Sequence, residues 1–323
     1  MKKKSLMLLT TMLLSFSMIL AACGGGSEGG EEVDFIGIAT GGTGGTYYPL
    51  GGAIAKIIQD ETGIKSSAET SGASAENMAT LKDGKIEIAF TQTDIASYAS
   101  EGTQMFTDNK VETAMGIATL YPETIQIVTT KDSGINSVED LKGKVVSVGE
   151  AGSGTRLNAE QILEIHGMSF DDIDTRDLSF DDSTTGIQDG SIDAAFITSG
   201  TPTGAVEGLA AVTDVNVVAI DSAKIQELIE KYPYYAEDTI AGGTYSNLED
   251  EIGTVAVRAM LVTREDISED VIYDITKALF ENTDAIAHPK GSLITVETAL
   301  DGMGITVHPG AKKYFEEQGL TVE

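Results

Sequence analysis

Only one cysteine, no tryptophan and three scattered histidines occur among the 323 residues of this chain. A single cysteine forbids any intrachain disulfide, so the core alone must hold the fold. His166, His288 and His308 show no H-x-x-H spacing, and Cys23 has no second thiol to partner it. No zinc-ligand pattern is in view, and neither a metal nor a cofactor is expected. Cations are scarce as well, with 21 Lys and Arg against 51 Asp and Glu, a formal charge of −30. Such a surface repels nucleic acid and anionic lipid headgroups. The glycine-rich run 41–45 lacks the third glycine of a dinucleotide fingerprint, and no Gly-Lys-Ser/Thr phosphate loop occurs. The acidic cluster Asp171, Asp172, Asp174, Asp177, Asp181 and Asp182 lacks the glycine and distal Glu of a calcium loop, so it reads as a solvated face. Gly25-Gly26-Ser27-Glu28-Gly29 fits G-x-S-x-G without the strand–turn–helix setting that motif needs. No base stands beside a plausible nucleophile in sequence, so a binding protein rather than an enzyme is expected.

What is present begins with a leader over residues 1–22. Lys2, Lys3 and Lys4 form a positive start, and the apolar stretch Leu6 to Leu20 falls short of the ~20 residues a membrane span needs. It ends in Leu20-Ala21-Ala22-Cys23, the pattern of a bacterial lipoprotein signal, in which Cys23 is lipidated and becomes the first residue. The chain is therefore expected on the extracytoplasmic face of a bacterial membrane, held by a lipid anchor. Residues 23–33 hold little apolar material and read as a hydrated tether. Without the leader, 18 basic residues face 51 acids, a charge near −33.

The remaining residues, about 290, alternate short apolar strands with helices, the pattern of an α/β fold with mostly parallel sheets. Strands are expected at 35–40, 64–70 and 86–91, each running into a polar loop and a helix. The middle of the chain repeats this with strands at 144–149, near 176–180 and at 192–197. Asp83-Gly84-Lys85-Ile86-Glu87-Ile88-Ala89-Phe90 resembles Asp189-Gly190-Ser191-Ile192-Asp193-Ala194-Ala195-Phe196 at the same junction of each set. Two equivalent lobes follow. Lobe I should comprise 34–124 with about 240–323, and lobe II about 125–239. Strands near 124–130 and 254–263 should cross between them, and an amphipathic helix should run from Ser268 to about Ala287.

In an open parallel sheet the ligand lies beyond the carboxyl ends of the strands. The loops there offer Thr43, Gly44, Gly45, Thr46, Ser71, Ser74, Gln92, Asp94, Ser153, Gly154, Thr155 and Arg156, with Tyr47 as a wall. Glycine N–H groups, hydroxyls and helix N-termini suit a small oxyanion such as a carboxylate. Arg156 could clamp it bidentately, or pair with Glu160 one turn later. Asp94 could face an amine or cap the helix that follows.

Several of these stretches together resemble the TAXI-type solute-binding proteins of TRAP transporters. They are Thr43-Gly44-Gly45-Thr46-Tyr47-Tyr48-Pro49-Leu50-Gly51-Gly52, Ser71 to Asn77, Phe90-Thr91-Gln92-Thr93-Asp94 and Gly152-Ser153-Gly154-Thr155-Arg156. Leu261-Val262-Thr263-Arg264 and His308 to Tyr314 belong to the same set, and the likeness spans about 34–320. It implies a two-lobed type II periplasmic-binding fold that closes on glutamate, glutamine or a related small dicarboxylate; the site residues fit 2-oxoglutarate as well, and a monomer is expected. It also implies delivery to a membrane permease driven by an ion gradient. A lipoprotein that senses a ligand and signals to a membrane partner is the alternative.

Overall fold

The structure, a computed structural model, describes residues 33–322. The leader, the lipidation candidate Cys23 and all of the tether but Val33 lie outside the described residues. β1 (Phe35–Ala39) leads into α1 (Tyr47–Thr62), whose buried Leu50, Ile54, Ile57 and Ile58 recur at the spacing of one helical face. Gly63, at φ 77°, ends the helix by turning its N–H back to the Gln59 carbonyl. β2 (Lys65–Glu69), α2 (Ser74–Lys82), β3 (Ile88–Gln92) and α3 (Thr93–Glu101) complete the first set. After the long β4 (Ala114–Thr130), the pattern repeats as β5 (Val145–Ser147), α4 (Gly154–Ile165), β6 (Asp174–Arg176), α5 (Phe180–Asp189), β7 (Ala194–Ser199) and α6 (Gly204–Ala210). Then come β8 (Val215–Val218), α7 (Ser222–Lys231), β9 (Ala236–Ile240), β10 (Ile252–Arg264), α8 (Glu269–Glu281) and α9 (Pro309–Glu317).

The strands form one mixed sheet in the order β2-β1-β3-β10-β4-β7-β5-β6, with β8 also on β4 and β9 on β10. Its two ends are parallel, and its middle is the antiparallel pair β4–β10, which runs from one lobe into the other. The β4–β10 register slips between Arg258 and Met260, opposite Pro122 and Thr119. Pro122 has no N–H to give to a ladder, and such an irregularity bends a strand where the chain must change lobes.

The apolar core divides at the same place. Ile38, Leu50, Phe90, Tyr121, Leu261 and Phe315 pack on one side. Ile125, Val146, Phe196 and Val257 pack on the other, next to Ile240, Tyr245 and Leu248. Within β10, Val255 and Val257 pack in the second set, while Ala259 and Leu261 pack in the first. Two element boundaries differ from expectation. The strand expected near 176–180 is β6 and stops at Arg176, because the Ser179 hydroxyl accepts the Asp182 N–H and starts α5. α8 begins on its Ser268 cap but ends at Glu281, short of Ala287, and the chain continues in 3-10 turns at Thr283–Ala285 and Pro289–Leu293.

The internal similarity is a three-dimensional equivalence. Gly84 and Gly190 both take positive φ, 67° and 78°, just before a strand that ends at the cleft. Glu87 accepts the N–H of Gly37 in β1, and Asp193 accepts that of Val145 in β5, each at 2.8 Å. The carbonyls of Glu87 and Asp193 accept hydroxyls from Thr263 of β10 and Thr129 of β4, at 2.8 and 2.7 Å. Each crossing strand is therefore stitched to the inner strand of one lobe by the same device.

Candidate ligand site

The carboxyl ends of β1, β3 and β7 and the N-termini of α1, α2 and α4 enclose a cavity between the lobes. It holds about 470 Å³ of empty space, counting its mouth. Of the residues expected at a ligand, Gly45, Thr46, Tyr47, Ser74, Gln92, Ser153, Gly154 and Thr155 line it. Tyr47, Ser74, Gly154 and Thr155 fall in the first turns of their helices, where N–H groups have no carbonyl one turn earlier. Gly154 is glycine for a steric reason. A Cβ there would sit 1.6 Å from Gln92 Oε1.

Five expected residues stand elsewhere. Thr43 donates its hydroxyl across the cleft to Asp181 at 2.9 Å, and the Gly44 carbonyl accepts the Ala205 N–H at 3.0 Å. These two fasten the lobes together. The Ser71 hydroxyl lies 2.6 Å from Asn77 Oδ1 and accepts the Ala73 N–H, which braces the loop before α2. Asp94 is fully buried, accepting from Ile95 N–H and, across the lobes, from Asn158 Nδ2 at 3.0 Å. Arg156 is the largest departure. Its Nε donates to Asp177 at 3.0 Å, and its guanidinium stacks on Phe170, 4.9 Å from the ring centre. Neither Glu160 nor the cavity is its partner.

The remaining wall comes from Gly41, Gly42, Ala73, Glu123, Glu150, Phe180, Thr198 and Ser199. No Lys, Arg or His is among the lining residues. Glu123, on β4, accepts the Tyr47 hydroxyl at 2.6 Å, and the Tyr47 ring stacks on Phe90. Burial pushes the Glu123 carboxyl well above the usual range. Hydrogen bonds from Tyr47 and Gln92 oppose the shift, while the charge of Asp94 adds to it. Asp94 itself is raised from 3.8 to about 6, again chiefly by burial. Glu150 is raised by its partial burial and by the neighbouring Glu76 and Asp182. The signal for Glu123 was a lone acid inside the apolar run Leu120 to Ile125. For Thr198 and Ser199 it was the internal repeat, which aligns them with Gln92 and Thr93.

The cavity is closed over by bonds between the lobes. Thr46 N–H and hydroxyl both meet the Ser199 hydroxyl, at 3.2 and 3.0 Å. The Gly152 carbonyl accepts from both Ala75 and Glu76, at 2.9 and 3.0 Å, which satisfies two of the free N–H groups of α2. Behind the cavity Asn158 Oδ1 accepts from Gln92 and from Thr198, while its amide donates to Asp94 and Tyr235. Apart from Asp181, which reaches Thr43 across the cleft, members of the acidic cluster meet partners within lobe II. Asp174 pairs with Arg176, Asp177 with Arg156, and Asp182 accepts from Ser179. Among the described residues, no three His, Cys, Asp or Glu are placed to hold a metal ion, and no helix is long and apolar enough to cross a membrane.

The family model of the NMT1-like family matches residues 38–319. Among solved structures, one protein of Bordetella bronchiseptica RB50 superimposes with a TM-score of 0.53 at 17% identity, covering 89% of this chain and 84% of that one. The alkanesulfonate-binding protein SsuA from Xanthomonas axonopodis pv. citri, bound to MOPS, gives 0.52 at 14% identity, with 88% and 84% covered. The chain belongs to the NMT1-like family and has the two-lobed α/β fold of type II periplasmic binding proteins.

Proposed function

We propose that this chain is an extracytoplasmic receptor that closes its lobes on a small carboxylate-bearing solute, passes it on unaltered and is tethered through a lipid on Cys23. The observation that carries this reading is the cavity itself, walled by equivalent strand ends of both lobes and sealed by hydrogen bonds that only a closed cleft can make. The carboxylate goes to the free N–H groups at the start of α4, Gly154 and Thr155, with the Thr155 hydroxyl beside them. These belong to one lobe and Thr46, Tyr47 and Ser74 to the other, so a bound solute touches both and favours closure. The motifs shared with TAXI-type receptors over about 34–320 support a TRAP-type permease as the recipient.

Native mass spectrometry of protein purified without dialysis should show a small bound acid, and saturating it should shrink the radius of gyration in solution scattering. An unchanged scattering profile at saturation, or chemical turnover of the solute, contradicts the reading. Cys23→Ser should move the protein from the membrane to the soluble fraction, and a processed protein that stays in the membrane rules out the anchor.

A further inference from the structure

The deep end of the cavity accepts hydrogen bonds and offers few. Glu123 and Gln92 both line it, and each is only 2% exposed. Gln92 gives its amide N–H to Asn158 at 3.3 Å, which leaves Oε1 buried with no partner. The Glu123 carboxyl receives the Tyr47 hydroxyl and is hydrogen-bonded by the Gln92 side chain, but it faces no cationic side chain, since none lines the cavity. A buried acceptor without a donor is costly, and a buried carboxylate without a cation more so. Its buried neighbour Asp94 has the same sign. Toward Glu150 the wall is acidic again, with Glu76 and Asp182 close by. No cationic side chain of the cavity wall meets these acceptors.

We propose that the cavity selects a solute with an ammonium group and no net negative charge, the ammonium seated between the Glu123 carboxylate and Gln92 Oε1. This rests on the receptor reading above and narrows it. An ammonium carries three donors. One meets Glu123, one fills the vacancy at Gln92 Oε1, and the third reaches a wall hydroxyl such as Ser74. A zwitterion then spans the cavity, with its carboxylate on the N–H groups of α4. A dianion such as 2-oxoglutarate has no such seat, because its second carboxylate must lie against Glu123 or Glu150.

Calorimetry with matched pairs tests this: alanine and propionate, valine and isovalerate, glutamine and glutaramate, with glutamate and 2-oxoglutarate as the acidic counterparts. In the tightest pair, loss of the amine should weaken binding at least about 30-fold, and the acidic counterparts should bind worse than glutamine. Glu123→Gln keeps the shape and the Tyr47 partner. It should cost the amino member roughly 30- to 1000-fold, leave the amine-free member within about threefold, and so remove the discrimination. Gln92→Met tests the same seat if Glu123→Gln does not fold by circular dichroism. Amine-free or dianionic solutes that bind the wild type as tightly as their amino partners overturn the inference while leaving the receptor reading intact. Binding by no member of the panel removes both.

Discussion

Ser199→Ala separates the energy of closing from the energy of folding. Ser199 ends β7 in lobe II, and its hydroxyl serves both the N–H and the hydroxyl of Thr46, which precedes α1 in lobe I. Both residues are 2% exposed on the cavity wall, so no water replaces the lost oxygen while the cleft is shut on a solute. The Thr46 hydroxyl keeps the Gly200 carbonyl at 3.3 Å, but the N–H is stranded. An orphaned buried donor costs about 1–3 kcal/mol. With the cleft open, the same N–H faces water and costs nothing. The whole penalty therefore falls on the closing step and should weaken the tightest solute of the panel by roughly 5- to 150-fold. The unliganded protein should melt within less than the ~2–4 °C that 1 kcal/mol of native stability represents at this size. Calorimetry and thermal melts of both proteins decide the matter. An unliganded midpoint that falls by several degrees with an unchanged Kd would mean that the lobes are already shut without solute, and the reasoning would be refuted.

Two further substitutions probe charges outside the cavity. Arg156→Ala removes one partly exposed ion pair with Asp177 and a stack on Phe170, so urea melts should show a loss of about 1 kcal/mol and calorimetry a Kd within about threefold of wild type; a thirtyfold loss of affinity returns this residue to the binding site. For Asp94, burial raises the native pKa to about 6 from 3.8, so between those values the folded chain keeps a proton that the unfolded chain has released. Its contribution to stability is highest below about 4 and falls as pH rises through 6, by on the order of 3 kcal/mol in full. Asp94→Asn should flatten that part of the pH–stability curve, and an unchanged slope between pH 4 and 7 refutes the assignment.

The sequence made the strand–loop–helix units legible because each carries its own local signals, such as Gly63 closing α1 and Ser268 opening α8. It also located half of the cavity wall, since strand ends in a parallel sheet leave little choice. What it could not supply was direction. Gly154, Thr155 and Arg156 are consecutive in the first turn of α4, yet each step rotates the side chain by about 100°. The first two face the cavity and the third turns out to Asp177. Thr43 and Gly44 lie off the cavity wall for a related reason. In a closing cleft, a polar loop can meet the opposite lobe as readily as the solute, and Asp181 and Ala205 are that opposite lobe. Glu123 escaped because the strand-end rule does not reach it. β4 crosses from one lobe to the other, so its middle, and not its end, forms part of the cavity wall.

The duplication explains both why a cavity exists and why its two sides differ in chemistry. Aligning Glu87 with Asp193 and Ile88 with Ala194 carries Gln92 onto Thr198, and these two meet on the same atom, Asn158 Oδ1, at 3.3 and 3.1 Å. Equivalent strand ends thus face each other across the cleft, whatever residues they carry. Had both kept the same side chain, the site would suit a symmetrical ligand. Instead one side sets the carbonyl of Gln92 and the carboxylate of Glu123 at the cavity, and the other opens α4 at Ser153-Gly154-Thr155. Acceptors oppose backbone donors, and Gly154 packs against glutamine, where a methyl group would come within 1.6 Å of Gln92 Oε1. A repeated unit supplies the enclosure, and departures from the repeat supply the polarity that fixes which way round a solute must lie.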